Sequence, residues 1–99
     1  MDNKQKALNL LGLAQRAGKL MTGESMVLDA IKQNKAIIVI VASDSSKRSI
    51  KQFKNKSQTY NVKINLDYTS EEISQAIGKE RKNCAIIDNG FAESFIQLH

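Results

Sequence analysis

The 99-residue chain reads as an α/β protein, a three-layer α/β/α sandwich built around a four-stranded mixed sheet. Three observations carry this reading. Ile37-Ile38-Val39-Ile40-Val41-Ala42 is a β-branched run with no polar alternation, so it is a strand covered on both faces. Segments with apolar residues at helical spacing stand on either side of it. Short strand-like pieces lie between those segments, and strands separated by helices tend to be parallel neighbours joined by right-handed crossovers.

The elements follow in order. Asp2 or Asn3 can cap a first helix whose apolar positions 7, 10, 11, 14 and 17 form one stripe, and Gly18 suits the position just past its end. Lys19-Leu20-Met21 is long enough only for a short strand. Thr22-Gly23 then turns the chain into a second helix, capped by Thr22 or Gly23, that presents Val27, Leu28, Ala30 and Ile31 to a core and closes at Asn34. After the central strand, Ser43-Asp44-Ser45-Ser46 offers several capping oxygens to a polar, basic third helix, Lys47 to Ser57. Its only large apolar members are Ile50 and Phe53. Val62 to Leu66 is a third strand, and Thr69-Ser70-Glu71-Glu72 is a capping box that opens a fourth helix through Ile73, Ala76 and Ile77 to Gly78. Cys84 to Ile87 is the fourth strand. Asp88-Asn89-Gly90 turns the chain into a short final helix with Phe91, Phe95, Ile96 and Leu98.

No proline, repeat or low-complexity linker interrupts residues 1–99, which form one domain, and a hydrophobic content of 41% is enough for a core. The longest apolar run, Ala36 to Ala42, falls far short of the ~20 residues that span a bilayer. The first apolar residues are spaced as in a helix, not massed as in a signal peptide. The single Cys84 forms no internal disulfide, so the chain is expected to be cytoplasmic, with no membrane partner.

Net charge is +5 and unevenly spread. Met1 to Ser43 carries six basic residues against three acids, Asp44 to Lys63 six against one, and Ile64 to His99 three against six. A basic face must therefore come from the first two thirds, which favours a polyanionic partner.

Enzyme chemistry finds little support. Gly12-Leu13-Ala14-Gln15-Arg16-Ala17-Gly18-Lys19-Leu20 has the look of a phosphate-binding loop, but five residues separate its glycines where the motif has four, Leu20 replaces the magnesium-binding Ser or Thr, and the segment ends a helix. The sole histidine is His99, and Cys84 heads an apolar strand as a buried thiol would. Asp44 and Asp88 follow strands, where α/β ligand groups often sit, yet each also has a capping or turn role. No catalytic residue, metal site or cofactor is expected. For nucleic acid the local pattern is better. A helix starting at Gly23 presents free N–H groups and the positive end of its dipole, glycine permits close approach, and Arg16, Lys19 and Lys32 add charge.

Several of these residues also form a family pattern. Arg16-Ala17-Gly18-Lys19-Leu20-Met21-Thr22-Gly23, Ala30-Ile31-Lys32-Gln33-Asn34-Lys35-Ala36 running into an apolar strand, Ala42-Ser43-Asp44, Gly78-Lys79 and Ala85-Ile86-Ile87-Asp88-Asn89-Gly90 occur in one order over essentially the whole chain. In this the chain resembles the kink-turn-binding ribosomal proteins of archaea and eukaryotes, the L-seven-Ae and L-thirty-e type, and most of all their short bacterial YlxQ-type members, where Leu11 to Lys19 and Asp88-Asn89-Gly90-Phe91-Ala92 have counterparts. The resemblance implies an α/β/α sandwich that binds kink-turn RNA with the start of its second helix. Many members carry Asn-Glu one residue after the turn glycine and a Lys three further on; Ser25, Met26 and Asp29 stand there, so only Gly23 matches. The family's second RNA-facing loop corresponds to Glu80-Arg81-Lys82-Asn83.

The expected function is recognition of structured RNA by a monomer, ribosomal or regulatory in origin, with the ribosome itself a candidate partner. The expected RNA-binding residues are Arg16, Lys19, Gly23, Glu24, Ser25, Lys32, Lys47, Arg48, Arg81 and Lys82. The alternative is a ribosome- or protein-associated interaction module that keeps the fold without kink-turn specificity.

Overall fold

The computed structural model describes residues 2–99. Five helices and four strands follow one another as α1 (Asn3–Arg16), β1 (Leu20–Thr22), α2 (Glu24–Lys32), β2 (Ile38–Val41), α3 (Lys47–Thr59), β3 (Lys63–Asn65), α4 (Ser70–Ile77), β4 (Asn83–Ile86) and α5 (Asn89–Gln97). The sheet order is β1-β4-β2-β3. This is the expected α/β/α sandwich with a four-stranded mixed sheet.

β2 lies at its centre, as its composition requires. Its side chains alternate between two cores: Ile38 and Ile40 face α1, α4 and α5, where they meet Leu8, Leu11, Ile73 and Phe95. Val39 and Val41 face α2 and α3, where they meet Val27, Ile31 and Phe53. β4 does the same, with Cys84 and Ile86 on the first face and Ala85 on the second.

Only one pair is parallel. β2 runs alongside β3 (Ile38 opposite Lys63), whereas β4 is antiparallel to both β1 and β2, with Thr22 opposite Cys84 and Val41 opposite Asn83. The rule that intervening helices make strands parallel fails at β4 for a local reason. The Ser74 hydroxyl accepts from the Arg81 N–H and donates to the Arg81 carbonyl, both at 3.0 Å, which folds the segment after α4 back along that helix. The chain therefore enters β4 at the end of the sheet where β2 leaves it.

Helix ends follow the capping residues. Asp2 accepts from the Gln5 N–H, Ser46 from Ser49, and Thr69 and Glu72 form the reciprocal capping box. Asn34 and Asn61 take left-handed conformations just after α2 and α3, with φ of 59° and 57°. Asp88 accepts from the Phe91 N–H as N-cap of α5, so the expected turn at residues 88–90 is already the start of that helix.

Gly12, which sequence inspection met only in an incomplete phosphate loop and a family segment, has a packing role. It lies inside α1, and a β-carbon there would come within 2.7 Å of the Ala76 carbonyl oxygen of α4. Gly12→Ala should therefore force α1 and α4 apart, costing about 1–3 kcal/mol. That outweighs the ~1 kcal/mol gain in helix propensity. Urea unfolding should show a lower midpoint with an unchanged slope, and a raised midpoint would contradict the close packing.

Candidate nucleic-acid interface

The register of the sheet gathers one end of it. Because β4 starts opposite the ends of both β1 and β2, three chain segments meet there. The Gly23 N–H donates to the Asn83 carbonyl at 3.3 Å, and the Ala42 N–H donates to the Lys82 carbonyl at 2.8 Å. Gly23 opens α2, Lys82 leads into β4, and Ala42 leads to the start of α3.

Gly23 is the N-cap of α2, with φ 93° and ψ 148°, and no side chain caps it. A side chain would be strained in this left-handed region, so the position is glycine for its backbone. Thr22, the other capping candidate, lies instead in β1 and is buried. The first turn of α2 thus ends in N–H groups without an intrahelical partner and carries the positive end of the helix dipole. Beside it runs Arg81: its Nε would lie 3.7 Å from a β-carbon at Gly23, and its guanidinium donates to the Glu80 carbonyl at 2.7 Å. Glu24 and Ser25 are exposed on the first turn, and Met26 behind them is an exposed large apolar residue, 55% accessible.

Lys47 and Arg48, at the start of α3, belong to the same end and are exposed. The loop before them is held by Asp44, whose carboxylate accepts from the Ser70 N–H and hydroxyl, both at 2.8 Å, tying β2's exit to the start of α4. Those two bonds, with a smaller contribution from nearby Lys82, hold the Asp44 carboxyl below the ordinary 3.8. Asp44 is thus an anchor for the loop. Asn83 is buried, as are Ser45 and Ser57 in part or whole, and the Asn83 Oδ1 and Ser45 Oγ find no hydrogen-bond partner among the described residues.

Three of the residues expected from the sequence lie elsewhere. Lys19 sits at the opposite end of β1, where its carbonyl accepts from the Ile87 N–H. Lys32 is in the last turn of α2, about 13 Å along the axis from Gly23. It shares a helical stripe with Ser25 and Asp29 at i, i+4 and i+7 spacing. Arg16 lines a groove between α1 and α4 with Gly12, Leu13 and Gln75. Gly23, Glu24, Ser25, Arg81 and Lys82 are brought together, and Lys47 and Arg48 follow Ala42 from the same end of the sheet. Sequence inspection missed the outer face of α3, where Lys51 and Lys54 line one shallow groove with Lys47; their i, i+4, i+7 spacing was the available signal.

Catalytic groups do not converge here. Cys84 is buried and desolvation pushes its thiol up to about 12. The His99 ring is engaged on both sides, with Nδ1 2.7 Å from the Phe95 carbonyl and Nε2 bonded to the Tyr68 hydroxyl. Among the described residues no group of three or more His, Cys, Asp or Glu could hold a metal ion, and no helix is long and apolar enough to cross a membrane.

The Asp44 anchor has a pH signature. Its folded pKa lies below 3.8, so its contribution to stability is complete above that value and is lost as pH falls through the lower folded value. Asp44→Asn should therefore lose less stability than the wild type on acidification below 3.8, measured by denaturant titration at a series of pH values. Equal acid sensitivity would mean that the Asp44–Ser70 bonds do not hold in solution.

Comparison with known proteins places the chain in a family. Residues 5–96 match the ribosomal protein L7Ae/L30e/S12e/Gadd45 family. The RNA-binding protein YlxQ of Enterococcus faecium is 49% identical over 96 residues, covering 97% of this chain and 93% of the relative. The RNA-binding protein YlxQ of Bacillus subtilis (strain 168) is 36% identical over 90 residues, covering 90% of each. A protein with unknown function from Bacillus halodurans C superposes with a TM-score of 0.90 at 34% identity, over 94% of this chain and 95% of that one. The Giardia lamblia 15.5kD RNA binding protein superposes with a TM-score of 0.83 over 99% of this chain and 86% of that one, and at 14% identity this is a likeness of fold alone. On the match over residues 5–96 and the identity shared with full-length relatives, the chain belongs to the ribosomal protein L7Ae/L30e/S12e/Gadd45 family and is of the YlxQ type.

Proposed function

We propose that the protein binds structured RNA, a kink-turn or related internal loop of ribosomal or regulatory RNA, at the end of the sheet where α2 begins. The observation that carries this is the uncapped helix start at Gly23, held in a conformation that suits glycine, with Arg81 alongside it. Free N–H groups on a positive dipole end donate to a phosphate or to acceptors on a base edge, and glycine lets the nucleic-acid backbone come close. Arg81, Lys82, Lys47 and Arg48 then neutralise phosphates around that point. Ser25 can donate to or accept from a base, and Glu24 can accept from a base amino group. Arg16, Lys19 and Lys32 act at longer range, through the potential they add. The relatives described as RNA-binding proteins support RNA as the ligand.

The role is one of binding, not catalysis, by a single domain acting as a cytoplasmic monomer, with the ribosome as a candidate site of action. Neutralising ~5 phosphates gives a log affinity that falls with log salt at a slope of about −4. Gel-shift titrations should show preference for a kink-turn over a plain duplex, and Gly23→Ala should abolish that preference through about 1–3 kcal/mol of backbone strain at the contact point. Arg81→Ala should weaken binding about tenfold and make the slope shallower by about 1. Equal affinity of the wild type for both RNAs would defeat kink-turn recognition.

A second reading, an interaction module that keeps the fold without kink-turn specificity, draws on the outer stripe of α2. There Asp29 stands between Ser25 and Lys32, and Met26 is exposed beside it. If this stripe faces RNA, Asp29→Lys should raise affinity several-fold by replacing repulsion of a phosphate with attraction. Unchanged affinity, measured by calorimetry, would turn that face toward a protein partner.

A further inference from the structure

α3 breaks the charge rules that stabilise helices. Its thirteen residues contain Lys47, Arg48, Lys51, Lys54 and Lys56 and no acid. Two of the cations stand in the first turn, at the positive end of the dipole, where acids are the stabilising choice. Lys47 and Lys51 are i, i+4 neighbours and Lys51 and Lys54 are i, i+3 neighbours, pairings that repel when the charges are alike. Nothing in the fold relieves this, since the only ion pair among the described residues joins Lys4 to Glu72, in α1 and α4. The buried side of α3 needs none of these lysines, being held by Phe53 and Ser57 with Ile50 packed beside them. Local conflict of this kind, placed on an exposed face, is expected where a partner removes it.

The three lysines also share one place. Lys47, Ile50, Lys51, Lys54 and Asn55 line a single shallow groove on the outer face of α3. From Lys47 to Lys54 the groove follows about 10 Å of helix axis. It begins at the end of the sheet where Gly23 and Arg81 lie and leads away from it.

We infer that the Lys47-Lys51-Lys54 face of α3 is a second RNA contact, which tracks the phosphate backbone of a duplex stem leading away from the loop held at Gly23. As an extension of that RNA reading it rests on it, but it differs in kind: the α3 face reads charge along a backbone and carries no sequence or kink preference. Duplex RNA offers the required row of phosphates, and binding releases the counterions that its charge collects.

The test uses the full chain with two probes, a plain RNA duplex and a kink-turn RNA with long stems, titrated over a range of salt. Lys51→Gln/Lys54→Gln, at two exposed positions, should make the slope of log affinity against log salt shallower by about 1.5 on both probes, leaving the ratio of the two affinities intact. Gln58→Lys, which extends the stripe by one turn, should steepen the slope by about 0.8 on both. Gly23→Ala should change the affinity ratio and leave the plain-duplex slope as it was. A wild-type slope on the plain duplex for Lys51→Gln/Lys54→Gln and Gln58→Lys alike would overturn the second contact. So would a double variant that keeps its RNA slope and loses only its co-sedimentation with phosphatidylserine vesicles. A wild type with no preference between the probes defeats the kink-turn reading and still leaves the α3 slopes to be measured.

Discussion

The insertion of β4 between β1 and β2 is the constraint on which the rest of the molecule depends. Each of its residues is buried, and it supplies side chains to both cores, so neither helical layer can pack without it. Its antiparallel register sets Asn83 opposite Val41 and Cys84 opposite Thr22, and that pairing alone brings the starts of α2 and β4 and the approach to α3 to one end of the sheet. The Ser74–Arg81 bonds aim the chain into this slot, and the same turn leaves the Arg81 side chain beside Gly23. Fold and candidate interface therefore share one cause.

The electrostatics are layered onto that frame. α4 is stabilised conventionally, with Glu71 and Glu72 in its first turn and a complete capping box. α3 does the opposite and accumulates cations at its positive end. The contrast explains why a net charge of only +5 supports a polyanion reading: acids such as Glu72, Asp88 and Asp44 serve helix ends and anchors, while the cations of α3 are left exposed. A protein whose charges were distributed only for solubility would interleave the two signs.

The same frame keeps two reactive side chains engaged or out of reach. The Cys84 thiol is held neutral in the core, and both ring nitrogens of His99 are committed to a packed cluster with Tyr68 and Phe95. The groups that remain exposed at the gathered end are backbone N–H, hydroxyl, guanidinium and ammonium, which suit anions and base edges, together with the Glu24 carboxylate.

The sequence by itself determined the elements and the two-sided core, because these follow from local chemistry. The unbroken Ile37 to Ala42 run, the Thr69 to Glu72 box, the stripe of α1 and the glycine at 23 each declare themselves within a few residues. It also declared the basic first two thirds and the family likeness. What only the tertiary structure decided was direction and proximity. The antiparallel entry of β4 depends on Ser74 meeting Arg81 across a turn, a contact no local pattern encodes. The same holds for the meeting of Gly23 with Arg81, and for the separation of Arg16, Lys19 and Lys32 from them. Gly12 is the sharpest case: its sequence neighbours fail as a phosphate loop and leave it unexplained, and its reason for being glycine is the Ala76 carbonyl of another helix, 2.7 Å from where a β-carbon would be.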